Sequence, residues 1–436
     1  MTAHSLRGGA VSWRGRLIYW RTVKRGSFLL ASIVLLLAAL SACGGGGGGS
    51  EALPFGLESE VIATGGSANT ANGMTFAPDG RLFYGEQYEG TILIVNADGT
   101  LQPTPFAQLT VADYLQLDWG LTGLALDPDF EDNGYVYAFY MEPAGDAASG
   151  NPLAQPKLVR FTDDNGIGTD QTLISDDFPV TDAVHPGYNG GGGIGFGPDG
   201  HLYIAIGDYD IKPEEGTTAQ DLSTPIGKML RVDKETGEAP DDNPFVDDED
   251  ADPRVYAYGF REPFDFTFDA DSGTLYGTDN TPNTCEELNV IEAGGNYSWP
   301  DVGDFPFADC AAGEGIQAIY HLAREGTEPE SFLSLVEVSG LEFLQGSTYG
   351  QLTDGLMVCE GQASVVNDKR SPGVLRRLTL SSPEQVTASD IIVRDCKGDV
   401  AVSPDGVIYY SNATEIRRLI DKPAGDDDEG QVVPSR

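Results

Sequence analysis

The sequence predicts an all-β protein, specifically a six-bladed β-propeller. From about residue 51 onward, short apolar and aromatic strands alternate with Asp-Gly or Asn-Gly turns, which need a positive φ angle at glycine. The turn motif recurs along the chain, and about 370 residues at roughly 60 per unit make six units. No segment beyond the N-terminal region has a long helical period. Repeated hairpins that close into a ring are therefore the predicted architecture.

The turn motif has three clear copies and two looser ones, each predicted to be a strand, a tight turn and a second strand. The clear copies are Phe76–Tyr84, Phe196–Ile204 and Val402–Tyr410, and the looser ones are Leu126–Tyr137 and Phe268–Tyr276. A pair of β-sandwich domains is the alternative architecture. The even spread of the motif and the lack of a mid-chain linker favour one propeller over residues 51–423.

The composition is that of an ordered, strongly acidic protein. Of the 436 residues 40% are hydrophobic and 22% are charged, with 68 acidic residues against 26 basic ones. The first 42 residues carry six of the basic residues and no acidic one, which leaves 20 − 68 = −48 for the remainder. Such a surface repels phosphates, so nucleic-acid binding and a basic membrane-docking face are both disfavoured. Solvated carboxylates, divalent cations and a salty habitat remain as interpretations.

The N-terminal region is typical of a bacterial lipoprotein. Residues 1–42 combine a basic start with a short apolar run and are predicted to be a signal peptide. The residues Leu40–Cys43 resemble a lipobox, so Cys43 is the predicted lipidation site, and residues 43–50 form a glycine tether. An uncleaved anchor is the alternative. We therefore expect an extracytoplasmic protein, lipid-anchored to a bacterial membrane in the periplasm or at the cell surface, with an acidic disordered tail at residues 424–436.

Four cysteines follow Cys43, and an even count outside the cytoplasm predicts two disulfides. They are Cys285, Cys310, Cys359 and Cys396. Three pairings are possible, and we favour the pairs that are closest in sequence. No Cys-x-x-Cys pair occurs, so these thiols do not indicate a zinc or redox site.

Two further patterns are not favoured as ligand sites. The acidic run at residues 241–252 lacks the spacing of an EF-hand loop and is interpreted as a solvated loop. The glycines at residues 190–195 satisfy Gly-x-Gly-x-x-Gly, but a turn and a strand follow where nucleotide binding requires a helix.

Several segments together resemble the glucose/sorbosone dehydrogenase family over about residues 55–420. The segments lie in the family's order and are Trp119–Phe130, Gly192–Gly200, Leu202–Asp208, Gly227–Asp233, Asn243–Phe245, Tyr258–Pro263, Glu286–Asn289 and Gly295–Pro300. The resemblance implies a bacterial six-bladed propeller. It also implies an aldose substrate and, in some members, pyrroloquinoline quinone (PQQ) and Ca²⁺ as cofactors.

The implied chemistry is the oxidation of a sugar hemiacetal to a lactone. A general base takes the proton of the C1 hydroxyl, and a quinone accepts the hydride. The family's histidine base falls at Asn189, which does not titrate near neutral pH. His185, four residues earlier, is the candidate base in its place, and Asp208 is expected to position the base or the substrate. Asn189 and Asp118 are the positions expected to line the cofactor.

The resemblance also implies a cofactor arginine and a calcium site. Arg261 matches the family's site arginine, although Glu262 replaces the asparagine that follows it. Backbone carbonyls of Thr281 and Pro282 occupy the family's calcium positions, with Glu286 nearby as a third candidate ligand.

The cofactor-binding arginines of the family are replaced. PQQ-using members carry Arg-x-Arg-Asp-Val before the last turn motif, whereas this chain has Cys396, Lys397 and Gly398 before Asp-Val. By strand alternation Lys397 points the other way. Lys369 and Arg370 are the nearby cations that are candidates to bind the cofactor's carboxylates.

Three hypotheses about function remain. The first is a PQQ- and calcium-dependent sugar dehydrogenase whose electron acceptor is unknown. The second is a propeller that has lost PQQ and binds a carbohydrate or a protein. The third is a calcium-dependent lactonase. It is the least favoured, because the sequence has no clear inward cluster of the carboxylates and asparagines that would bind the metal.

Overall fold

The computed structural model describes the part of the chain that was predicted to fold as a propeller. The chain divides into two units, Met1–Ser50 and Glu51–Arg436, and the described residues all belong to the second. The described residues are 53–64, 71–112, 119–144, 153–180, 189–209, 218–281, 285–300, 314–323, 336–361, 373–412 and 414–422. Within these ranges no helix has the length and apolarity needed to cross a bilayer.

Six four-stranded antiparallel sheets make up the described structure, which confirms the predicted six-bladed propeller. The strands of the first three blades, from the inside outward, are β2 (Ala71–Phe76), β3 (Leu82–Glu86), β4 (Thr91–Val95) and β5 (Ala107–Gln108); β6 (Leu121–Leu126), β7 (Tyr135–Ala144), β8 (Leu153–Asp164) and β9 (Ile167–Ser175); and β10 (Gly191–Phe196), β11 (Leu202–Ile206), β12 (Lys228–Val232) and β13 (Val255–Tyr258).

The other three blades repeat this order, except that the last blade takes its outer strand from the start of the chain. Their strands are β14 (Pro263–Phe268), β15 (Leu275–Asp279), β16 (Glu286–Val290) and β17 (Tyr320–Leu322); β18 (Val338–Leu344), β19 (Gly355–Glu360), β20 (Val374–Ser382) and β21 (Gln385–Val393); and β22 (Val400–Val402), β23 (Ile408–Ser411), β24 (Glu415–Asp421) and β1 (Leu57–Thr64).

The ring closes because every inner strand contacts the inner strand of the next blade, and β22 contacts β2. Apolar side chains fill the spaces between blades. The described residues contain six buried hydrophobic clusters, each shared by two adjacent blades. The stabilisation from apolar burial, about 25 cal/mol per Å² of buried area, therefore comes from the spaces between blades around the ring and not from its centre.

The Pro-Asp-Gly motifs form the predicted tight turns. Gly80, Gly200 and Gly406 have φ angles of 86°, 79° and 77°, which only glycine adopts without strain. The looser copy at Leu126–Tyr137 differs from the prediction. It holds a one-turn helix, α1 (Phe130–Asn133), between its strands, because Phe130 is buried and Gly134 ends the turn in the left-handed region. Two 3₁₀ turns, Pro54–Gly56 and Thr218–Gln220, complete the secondary structure of the described residues.

Candidate functional site

Three of the predicted site residues lie together at one end of the ring. Alternate strands are antiparallel, so the start of each inner strand and the end of the second strand lie at the same end. Asn189 precedes β10, Asp208 follows β11, and Arg261 lies between β13 and β14. The backbone N–H of Asp208 donates to the carbonyl of Arg261 at 2.7 Å, which fixes the two segments against each other.

Asn189 and Asp208 form a buried pair. The Asn189 Nδ2 donates to the Asp208 Oδ1 at 2.7 Å, and the two residues are only 4% and 2% exposed. Asn189 has a φ of 54°, a left-handed conformation that asparagine tolerates better than most residues. Its carbonyl also accepts a hydrogen bond from the backbone N–H of Tyr209 at 3.3 Å. The segment before β10 is therefore tied to the segment after β11 by both its backbone and its side chain.

Trp299 is a site residue that the sequence reasoning missed. Its indole Nε1 donates to the Asp208 Oδ2 at 2.8 Å, so both oxygens of this carboxylate accept a hydrogen bond from a neutral donor. The residue was part of the segment Gly295–Pro300 that carries the family resemblance. Nothing in the local sequence pairs it with Asp208, which is 91 residues away.

The Arg261 side chain is held by residues near it in the structure. Its Nη1 donates to the Asn280 carbonyl at 2.7 Å and lies 3.6 Å from the Glu262 Oε2. The backbone N–H groups of Arg261 and Glu262 donate to the two carboxylate oxygens of Asp279 at 3.0 and 2.6 Å. Burial raises the pKa of Asp279 to about 7, and the charge of Asp208 adds to the increase. The two backbone hydrogen bonds lower this pKa but do not offset the effect of burial.

The predicted calcium loop is braced by Glu286. Its Oε2 accepts hydrogen bonds from the backbone N–H of Thr281 at 2.7 Å and from the Thr281 Oγ1 at 3.2 Å. Burial raises the pKa of Glu286 to about 8. The described residues contain no group of three or more His, Cys, Asp or Glu side chains arranged to hold a metal ion. The contacts of Glu286 thus show it bracing Thr281, and its role as a metal ligand stays a prediction.

The two positions of the lost arginines cannot carry a cation. Cys396 is fully buried and forms a disulfide with Cys359, which confirms one of the favoured pairings. A Cβ at Gly398 would lie 2.3 Å from the Ser411 Oγ and 2.8 Å from the Ala71 carbonyl oxygen. Cys285 is disulfide-bonded as well. The described residues therefore fit PQQ at the Arg261 end of the site and not at the end where its carboxylates would be bound.

A channel with both polar and apolar lining lies between the inner strands. It has a volume of about 500 Å³ and is lined by residues of all six inner strands or the residues beside them. Three of its carboxylates belong to successive blades: Asp265, Glu342 and Asp399. The centre of the ring is thus not filled with apolar side chains, as a site at the hub requires.

Several predicted residues lie outside the described residues, so their roles remain predictions. These are His185, Asp118, Lys369, Arg370, Pro282, Cys43 and Cys310.

Comparison with known proteins gives the same assignment as the motifs. The chain is 27% identical over 314 residues to the aldose sugar dehydrogenase YliI of Escherichia coli K12, which covers 70% of this chain and 72% of that protein. It is 28% identical over 255 residues to quinoprotein glucose dehydrogenase B of Acinetobacter calcoaceticus, covering 54% and 51% of the two chains.

The fold is also shared with a solved structure of the PQQ-bound form of an aldose sugar dehydrogenase from Streptomyces coelicolor. The TM-score is 0.61 at 21% identity, with 84% of this chain and 99% of that chain covered. A sequence profile of the family described as glucose/sorbosone dehydrogenase matches residues 68–420. The chain therefore belongs to the glucose/sorbosone dehydrogenase family.

Proposed function

We propose that this protein is an extracytoplasmic, PQQ-dependent aldose dehydrogenase that oxidises a sugar hemiacetal to a lactone. The observation that carries the proposal is that the segments of Asn189, Asp208 and Arg261, three positions of the family resemblance, are hydrogen-bonded to one another at one end of the ring. Hydroxyl oxidation needs one group near the proton that leaves and one near the charge that develops. The proposal assigns the first place to Asp208, which positions the base or the substrate, and the second to Arg261. The names of the aldose-oxidising relatives support a sugar as the small-molecule substrate.

The residues of this chain have separable roles in the proposed reaction. PQQ, when bound, supplies the acceptor for the hydride that leaves C1. Arg261 presents its guanidinium beside the Asn280 carbonyl, where the hydrogen bond and Glu262 restrict its rotation. Asp279 accepts hydrogen bonds from the two backbone N–H groups that precede β14 and so holds the main chain at Arg261. Asp208 is positioned by Asn189 and Trp299.

A bound cation would be held mainly by backbone oxygen atoms. Ca²⁺ takes oxygen ligands, including backbone carbonyls. Thr281 belongs to a loop that is held by its hydrogen bonds to the Glu286 carboxylate. The carbonyl groups of Thr281 and Pro282 are the proposed ligands. This assignment predicts that Thr281→Ala, which keeps the carbonyl, retains calcium-dependent activity.

Cofactor binding is expected to be weaker than in a site with two arginines. Each missing charge-assisted hydrogen bond costs about 1.5–3 kcal/mol. Lys369 and Arg370 are the proposed replacements.

Reconstitution tests the proposal. The secreted part, residues 44–436, is mixed with Ca²⁺ and up to tens of micromolar PQQ, and bound cofactor is measured by absorbance after gel filtration. Reduction of an artificial dye is then followed with several aldoses. We expect stoichiometric uptake and sugar-dependent dye reduction, both reduced in the Arg261→Gln variant. If the protein takes up no PQQ, the proposal is wrong, and binding of unmodified oligosaccharides would then identify a carbohydrate-binding module.

The proposed location is a bacterial membrane, in the periplasm or at the cell surface, with the lipid on Cys43 as the anchor. The lipobox at Leu40–Cys43 and the disulfide Cys359–Cys396 support it, because disulfides persist in oxidising compartments. In cells that express the full chain, we expect the protein in the detergent-soluble membrane fraction. The Cys43→Ser variant should lose this association, and an unchanged distribution would contradict lipidation at Cys43.

A further inference from the structure

The channel between the inner strands meets solvent at the turn end of the ring, opposite the candidate site. The inner strands β6, β10 and β14 end there, and just beyond their ends the channel is lined by the exposed residues Pro128, Pro198 and Ala270. The segments of Asp208 and Arg261 lie at the other end of the ring, where these strands begin. The cavity of about 500 Å³ therefore has a mouth of its own.

Three carboxylates line one side of this channel, at different depths. The Asp265 Oδ2 accepts the N–H of Leu341 at 2.6 Å, and the Glu342 Oε1 accepts the hydroxyl of Thr267 at 2.8 Å. Asp265 therefore lies one to two residues nearer the site end than Glu342, or roughly 3–7 Å along the channel. Asp399 directly precedes β22 and also lies toward the site end. The negative charge is thus spread along the wall.

No positive charge compensates these carboxylates within the described lining of the channel, which contains no lysine, arginine or histidine. Burial raises the pKa of Asp265 to about 7, and the charge of Glu342 adds to the increase. Burial also raises the pKa of Asp399, and the charges of Asp265 and Glu342 contribute. Buried charges in proteins are ordinarily paired or bound to a cation. The lining therefore has the properties of a cation-binding cavity.

Two acceptor oxygen atoms of the lining have no hydrogen-bond donor among the described residues. Asn72 is 5% exposed, and its Nδ2 donates to the Gln87 Oε1 at 3.3 Å, whereas its Oδ1 has no partner there. The Glu342 Oε1 accepts the Thr267 hydroxyl and the Phe343 N–H, whereas its Oε2 accepts neither. Buried acceptors are normally satisfied. Both oxygens therefore point to a ligand that is rich in N–H donors.

The shape of the lining favours an elongated organic cation over a metal ion. The described residues contain no group of three or more His, Cys, Asp or Glu side chains arranged to hold a metal, so these carboxylates do not converge on one point. An aliphatic chain with two or more ammonium groups matches charges at different depths. Toward the mouth the lining includes the half-buried apolar residues Leu126, Phe196 and Phe268, which suit methylene groups and cation–π contacts.

We infer that the channel binds an aliphatic diamine or polyamine whose ammonium groups pair with Asp265, Glu342 and Asp399. The Oδ1 of Asn72 accepts a further N–H of the same ligand. Binding requires the carboxylates to be ionised, so the protons that they hold near neutral pH leave to solvent as the amine enters. The inference is independent of the proposed sugar oxidation, because it uses none of the residues assigned to that reaction.

Calorimetric titration of the full chain with putrescine and with spermidine tests the inference. A concentration of about 0.15 M NaCl screens exposed charges beyond about 8 Å and so suppresses weak association with the acidic exterior. We expect one site per chain and a heat that varies with the ionisation enthalpy of the buffer. The affinity should rise with pH until about pH 7, by up to about tenfold per pH unit for each displaced proton, because Asp265 is protonated below this value.

Two variants and one control locate the site. Glu342→Gln keeps an oxygen for its hydrogen bonds but removes a charge, and the affinity should fall by about 10-fold or more. Glu384→Gln is the same change at an exposed residue of the β20–β21 turn and should match the wild type. Thr75→Lys, at a half-buried lining residue of β2, supplies a tethered ammonium group. It should abolish amine binding and raise the melting temperature.

The outcomes are distinct from those of the sugar-oxidation test. One-site amine binding that releases protons and is weakened in both Glu342→Gln and Thr75→Lys supports the inference, whether or not the protein oxidises an aldose. No binding of either amine at millimolar concentrations overturns it, as does an affinity that is unchanged in the two variants. Ca²⁺ alone is titrated in parallel. If Ca²⁺ binds, requires Glu342 and excludes putrescine, the channel is a metal site and the inference is wrong.

Discussion

The side-chain Oδ2 of Asp399 accepts a hydrogen bond from the backbone N–H of Met74 at 2.7 Å. The two residues are 325 positions apart, and the bond joins the start of β22 to β2, where the last blade meets the first. The Oδ1 of the same carboxylate accepts the N–H of Val400 at 2.7 Å. Asp399 thus satisfies two backbone donors at the closure of the ring.

Replacing Asp399 by asparagine should destabilise the propeller. The amide NH₂ of asparagine would face one of the two backbone N–H donors, so one buried donor would lose its acceptor. The free energy of unfolding is expected to fall by about 1–3 kcal/mol. Urea unfolding of residues 44–436 measures it, and Asp421→Asn, an exposed change on β24, is the control. Equal stability of the two variants would contradict a role for Asp399 in closure.

The channel carboxylates should make stability fall as the pH rises. Burial raises the pKa of Asp265 to about 7, and the charge of Glu342 adds to the increase, although the N–H groups of Leu341 and Phe266 lower it in part. The folded protein therefore binds this proton more tightly than the unfolded chain. The stabilisation is complete below the ordinary pKa of aspartate and is lost as the pH rises through about 7, at about 1.4 kcal/mol per pKa unit.

Unfolding of the wild type and Asp265→Asn across this range measures the effect. We expect the wild type to lose stability between about pH 4 and pH 7, with a shallower loss in the variant. Burial also raises the pKa of Asp399, and the charge of Asp265 contributes to that increase. A slope that is identical in wild type and variant would show that Asp265 does not titrate in this range.

The periodic parts of this fold were accessible from the sequence, and the long-range parts were not. Each strand has a local signal in its alternation of apolar and polar residues, and each Pro-Asp-Gly turn has one in its glycine with positive φ. These signals predicted the blades. The pairing of β1 with β24 has no local signal, because Leu57 meets Asp421 only after the ring has closed. The helix α1 was missed because the burial of Phe130 is a tertiary property.

The candidate site also has residues that the sequence identified and contacts that only the structure shows. Asn189, Asp208 and Arg261 were identified because each lies in or beside a segment with the order of a known family, and the structure brings them together. Trp299 belongs to such a segment, but its partner is set by the geometry between blades. The bonds from Lys228 to the Ala219 and Ile226 carbonyls likewise depend on how the Thr218–Gln220 turn packs against β12.

Removing the Cys359–Cys396 disulfide should lower stability more than any single hydrogen bond does. The bridge closes a segment with a sequence separation of 37 residues and ties β19 to the segment before β22. The chain-entropy model assigns about 4 kcal/mol to a loop of this length. We expect the Cys359→Ser/Cys396→Ser double variant to melt several degrees lower. A reducing agent should have less effect on this variant than on the wild type, and equal melting temperatures would show that the bridge adds no stability.

High salt should stabilise the folded protein. The part after residue 42 has a formal charge of −48, and charges of the same sign repel one another across about 30 Å at 0.01 M ionic strength but only about 3 Å at 1 M. The melting temperature should therefore rise between about 0.01 and 1 M NaCl. A variant with amides in place of the exposed carboxylates at residues 247–250 has four fewer negative charges and serves as the matched comparison. Its melting temperature should rise less. If neither protein responds to salt, repulsion between surface carboxylates does not limit the stability of the propeller, and the acidic composition needs another physical explanation.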